Sequence, residues 1–113
     1  MGEKSMNLNE YQNECLRTLP ELNERDIVIN GVLGMNGESG EVADELKKYL
    51  FHGHDYNEDK LVEEIGDVLW YIATTLSGLG VTMEECAKRN IDKLKKRYPE
   101  GFDVNKSKSR YIN

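Results

Sequence analysis

Leu61, Ile65, Val68, Leu69, Ile72, Ala73 and Leu76 recur at steps of three and four, the period of one face of an α-helix. Val62 and Trp70 extend apolarity around that face, so this segment, from about Glu58 to Leu79 with Gly80 closing it, is predicted to be buried on most sides. A chain of 113 residues suffices for one domain whose core needs no disulfide or metal staple. A lone bundle of that size does not cover so apolar a helix. The excess predicts a subunit interface, in a homodimer or homotetramer.

Three further segments share the helical period. Leu8, Tyr11, Cys15 and Leu19 mark a first helix from about Asn7 to Leu19, which Asn7 or Asn9 can cap and Pro20 ends. A second is predicted from Asp26, its N-cap, to about Phe51. Gly31, Gly34, Gly37 and Gly40 lie inside it, each costing roughly 1 kcal/mol against alanine. So many glycines in one helix imply close approach of a neighbour or a local break. His52-Gly53-His54 opens a loop, and exposed histidines are its simplest content. Thr82 and Glu85 form a capping-box pattern opening the fourth helix, which Tyr98-Pro99 ends. No strand-like alternation occurs. The fold class is all-α: a four-helix-bundle-like core over about 7–98, then a mobile basic tail over 99–113 carrying Lys106, Lys108 and Arg110.

The charge excludes some functions. Net −6 argues against a duplex-binding protein, which needs a basic stripe against phosphates. The longest charge-free stretch, Val68 to Met83, has 16 residues against the ~20 a membrane helix needs. Met1 to Glu10 is polar without an apolar core, so no signal peptide is expected. Cys15 and Cys86 lie far apart and form no zinc motif, which suits a reducing cytoplasm. The charge is also uneven: residues 1–87 hold 6 Lys+Arg against 18 Asp+Glu, and residues 88–113 hold 9 against 3. An acidic body and a basic end can share one ligand, a metal-bound phosphate. Solvated helix faces would give the same counts.

Spacing decides for the ligand. Glu38 and Glu41 are three apart on the second helix, and Glu64 and Asp67 repeat the step on the third. Glu41 runs into Val42-Ala43 and Asp67 into Val68-Leu69-Trp70, so both acids sit at the margin of an apolar stripe. Two helices joined by a short loop run antiparallel, which lets the two pairs meet at one level. Converging carboxylates repel unless a cation neutralises them. Oxygen ligands without His or Cys point to Mg²⁺, with Mn²⁺ as its substitute, rather than zinc. A di-iron centre would want Glu-x-x-His, and Tyr49 and Phe51 stand three before His52 and His54 instead. Magnesium held by few carboxylates keeps positions for water and phosphate. Asn90, Lys93 and Arg97 share one face of the fourth helix and supply the anion side, although salt bridges are the plainer role for Lys95 and Lys96.

Gly37-Glu38-Ser39-Gly40-Glu41-Val42, Glu63-Glu64-Ile65-Gly66-Asp67-Val68-Leu69-Trp70 and Asn90-x-x-Lys93-Leu94-x-x-Arg97-Tyr98-Pro99 together resemble the MazG family of nucleotide pyrophosphohydrolases. The likeness runs from about Val32 to Phe102, with 22 residues between Glu41 and Glu64. Gly37 departs from it, standing where the fuller pattern has a further glutamate. The resemblance implies a single MazG-like all-α domain over 1–113 in which Glu38, Glu41, Glu64 and Asp67 hold Mg²⁺. It implies that Lys93 and Arg97, with Asn90, contact a nucleoside triphosphate. Hydrolysis would then give a nucleoside monophosphate and pyrophosphate, as in nucleotide-pool house-cleaning, with Glu38 or Glu41 activating the water. The alternative is a non-catalytic helical module whose acidic groove binds a divalent cation or a basic partner. Base and sugar specificity is not legible, and Trp70 and Tyr71 fit a core better than a base-stacking wall.

Overall fold

The computed structural model describes residues 5–109 and is all-helical; among the described residues the one bridge pairs Pro99 with Gly101 and no strand forms. Its helices are α1 (Leu8–Cys15), α2 (Glu24–Phe51), α3 (Glu58–Gly78), α4 (Met83–Arg97) and α5 (Val104–Ser109). Two compact units divide the chain, one ending at Met83 and the other beginning at Glu84.

The first unit holds α1, α2 and α3. Asn7 caps α1, its side chain accepting from the Glu10 amide. The helix is shorter than the periodicity predicts: α-geometry ends at Cys15 and Leu16–Thr18 tighten into a 3₁₀ turn. Pro20 explains this, because the residue before a proline avoids the α region, and Leu19 is extended at φ −79, ψ 127. The second helix also starts earlier than expected. Asn23, not Asp26, is the N-cap, and its side chain accepts from the Asp26 amide at 2.8 Å. Asp26 instead joins Glu24 in the first turn, where negative charge suits the helix dipole.

α2 runs unbroken through its glycines, and two of them explain why. A Cβ on Gly31 would sit 1.9 Å from the Thr75 hydroxyl, and one on Gly34 2.1 Å from the Tyr71 ring. These positions let α3 come close; Gly37 and Gly40 face open space. Gly78 returns the favour from α3, a Cβ there meeting Ile27 and Val28 at 2.9 Å. Positions 27 and 28 thus oppose 78, 31 opposes 75, and 34 opposes 71. One number rises as the other falls, the mark of an antiparallel pair. The loop between them turns at Gly53, whose φ of +73 is strained for other residues. There the His52 and His54 amides both donate to the Lys48 carbonyl at 3.1 Å, and both histidines are exposed.

The buried apolar core is small: Cys15, Ala73 and Met83, with Tyr11, Leu69, Trp70, Ile72 and Leu76 packed against it. Trp70 is one of these packing residues. The Trp70 indole donates to the Thr18 hydroxyl at 2.9 Å, and Tyr71 covers Gly34. Gln12 crosses this core, accepting from the Met83 amide at 2.8 Å and donating to the Val81 carbonyl at 2.9 Å. Much apolar surface stays uncovered, including Val32, Leu33, Leu50, Phe51 and Val62, all more than half exposed.

In the second unit α4 is amphipathic and dipole-matched, with Lys95, Lys96 and Arg97 in its last turn. It stops before Pro99, as the sequence predicts. The C-terminal stretch, without periodicity in sequence, forms one short helix, α5, after Asp103 accepts from the Lys106 amide at 3.1 Å. Arg110, counted in the basic tail, lies outside the described residues. No helix among the described residues is long and apolar enough to cross a membrane.

Candidate active site

The antiparallel register of α2 and α3 continues one turn beyond Gly34 and Tyr71, and there it brings acids together. Single carboxylate oxygens of Glu38, Glu64 and Asp67 all lie within 4.8 Å of one another. Glu38 and Glu64 are partly buried and Asp67 is exposed. Glu41, one turn further along α2, is exposed and stands outside this trio. Its charge is still felt. The Glu38 carboxyl is held above the usual range, first by desolvation, then by the charges of Asp67, Glu64 and Glu41.

Among the described residues Glu38 and Asp67 have no ion-pair partner, whereas other acids nearby, Glu64 of the trio included, do. Asp44 is met by Lys48 at 3.3 Å and Lys47 at 3.4 Å, and Glu45 by Lys48 at 3.7 Å. Lys48 and Lys47 hold the Asp44 carboxyl below its usual range. These are helix-surface pairs, neutralised on their own element. The trio differs because its charges come from two helices and converge on one point.

Two residues beside the trio escape a reading of the sequence. Lys60 reaches Glu64 at 3.4 Å and Glu63 at 3.9 Å. Its spacing of four from Glu64 was the available signal. Tyr11 comes from α1, 56 positions before Asp67 in the sequence, and no local pattern could have found it. Its hydroxyl pKa is pushed up to about 12 by burial, by hydrogen bonding to Cys15 and by the charges of Cys15 and Asp67. Burial likewise raises the Cys15 thiol, against a smaller opposing effect of the Tyr11 hydroxyl, in keeping with its place in the core.

A donor set of three carboxylates, all hard oxygen, fits a hard divalent cation. In the second unit, Lys93 and Arg97 share a shallow hollow of about 560 Å³ with Arg89, Asp92 and Lys96. Asn90 does not line it. Arg89 is tied to Glu85 at 3.1 Å.

Fold and trio define an all-helical protein with an acidic, cation-competent centre between two antiparallel helices. The chain belongs to the MazG family: the model of the MazG nucleotide pyrophosphohydrolase domain matches residues 31–102, well over half its length. Among curated proteins it is similar to the Gene 37 protein of Mycobacterium phage L5, 37% identical over 73 residues. That match covers 61% of this chain and 64% of the phage protein, so the chain spans less than two thirds of its relative. No solved structure matches it significantly.

Proposed function

We propose that the protein hydrolyses a (deoxy)nucleoside triphosphate to the monophosphate and pyrophosphate, in the manner of a nucleotide-pool house-cleaning enzyme. The carrying observation is the convergence of Glu38, Glu64 and Asp67 on one point from two helices. Uncompensated, that arrangement is repulsive, and a divalent cation is what relieves it. In this reading the three acids hold Mg²⁺, or Mn²⁺ in its place. When bound, the cation supplies positive charge that neutralises the phosphates and eases ionisation of the attacking water.

The chain's own residues supply the rest. Glu38, Glu64 and Asp67 fix where the phosphates sit. Glu41 lies outside the trio yet within electrostatic reach of Glu38, which suits it to take the proton of the water. That water attacks the α-phosphorus, the bond to the α–β bridging oxygen breaks, and pyrophosphate leaves. Lys93 and Arg97 meet the charge of the triphosphate, Arg97 through its planar fork. Asn90 is assigned to the substrate's polar edge.

The test is incubation with a panel of nucleoside triphosphates and Mg²⁺, followed by chromatography of the products. Monophosphate with pyrophosphate is expected. Diphosphate with orthophosphate refutes the bond assigned, and no turnover of any nucleotide returns the chain to a non-catalytic cation-binding module. Arg97→Lys should lower kcat/KM about tenfold or more without moving the melting temperature, since a point charge does not replace a bidentate fork. Wild-type kcat/KM in both Arg97→Lys and Lys93→Ala would show that the basic face of α4 has been misassigned.

A further inference from the structure

Glu64 is the acid of the trio with a competing partner. Its side chain is only 13% exposed, and the Lys60 ammonium sits 3.4 Å from its Oε1. Lys60 is spread over several acids: Glu63 lies 3.9 Å away, and the Glu45 carboxylate on α2 also acts on it. It carries a single charge on a flexible stem, 40% exposed, so it can swing to Glu63 or to solvent at small cost. Its sequence order is also the weaker one, since lysine precedes glutamate along the helix. A pair so built holds while nothing better is offered and yields to a divalent ion.

Resting on the metal reading above, we propose that Lys60 is a tethered competitor for the cation site. It occupies Glu64 in the metal-free protein, releases it on metal entry, and thereby sets the cation concentration at which the site fills. The opposite role is a positioning one, in which Lys60 holds one oxygen of Glu64 and steers the other toward the metal. The two roles predict opposite signs. Removing a competitor tightens binding, and removing a positioner loosens it.

Calorimetric titration of the full chain with Mg²⁺, and with Mn²⁺ as a second probe, separates them without any assay of turnover. Lys60→Met keeps the apolar stem and removes the charge. It should lower the metal Kd about two- to fivefold, the range expected for losing one exposed pair. Lys47→Met makes the same change in net charge at an ion pair to Asp44 that does not involve the trio, and should leave Kd unchanged. Thermal unfolding gives a second readout: Lys60→Met should lie below wild type in chelator, and the gap should narrow at saturating metal. Unchanged or weaker binding in Lys60→Met overturns the proposal. So does equal tightening in Lys47→Met, which would make the effect one of net charge. If wild type binds neither ion, the metal reading fails along with it; if wild type binds and Lys60→Met binds no better, only the role of Lys60 fails.

Discussion

Replacing Gln12 by leucine isolates the energetic weight of one buried side chain. Gln12 is 7% exposed, and its amide nitrogen lies near three acceptors: the Val81 carbonyl at 2.9 Å, the Ser77 hydroxyl at 3.2 Å and the Ala73 carbonyl at 3.3 Å. Its oxygen accepts from the Met83 amide at 2.8 Å. Met83 opens α4, so this amide has no acceptor within its own helix. Leucine fills the same space and leaves no cavity, which confines the loss to hydrogen bonding. An orphaned buried donor costs about 1–3 kcal/mol, and the lost partner of the Val81 carbonyl adds about 1. Gln12 also borders an open hollow of about 360 Å³ through which water can reach the freed carbonyl, so the lower half of that range applies. Gln12→Leu should therefore destabilise by about 2–3 kcal/mol, or about 8–15 °C in a domain of this length. Scanning calorimetry in the presence of chelator keeps metal binding out of the comparison. A midpoint within about 2 °C of wild type would show that the clasp contributes little and that the exchange of amide for alkyl is close to neutral.

The glycines of α2 should separate by position. Gly31→Ala meets the Thr75 side chain and backbone and should destabilise, its steric cost outweighing the roughly 1 kcal/mol of helix propensity, whereas Gly40→Ala should gain up to that amount in urea unfolding. Similar changes at both sites would refute the close-approach argument. Glu38 supplies a pH signature in metal-free protein. Because its folded-state pKa is raised, its contribution is fully present below the unfolded value and is lost as pH rises through the folded one. Glu38→Gln should thus melt level with wild type in acid and above it past the carboxylate range; a gap that closes with rising pH would reverse the sign. Finally, the exposed Val32, Leu33, Leu50, Phe51 and Val62 predict at least a dimer, and a 13.0 kDa species by light scattering at micromolar concentration would defeat that expectation.

Much of the architecture was legible because helices are local objects. Three- and four-residue recurrence, Pro20, Pro99 and Gly80 place every long helix within a few residues, and a pair of acids three apart must share a face. The caps were less secure. Asn23 and Asp26 are both competent N-caps, and only the folded backbone selects the one whose oxygen meets an amide. Local pattern also marks both halves of the acidic site, Glu38-x-x-Glu41 and Glu64-x-x-Asp67, but not how many of the four acids meet.

That count depends on register. Gly31 and Gly34 admit Thr75 and Tyr71, which fixes how far α2 slides along α3 and so brings Glu38 level with both Glu64 and Asp67 while Glu41 falls one turn beyond. Tyr11 arrives at the same place from another helix, and Gln12 ties α1 to the end of α3 through groups more than 60 positions away. The sequence by itself determined which residue types share each helical face, since that follows from 3.6 residues per turn alone. Only the tertiary structure decided which faces meet, at what level and at what distance, because those depend on side-chain volumes packed across elements that no local period encodes.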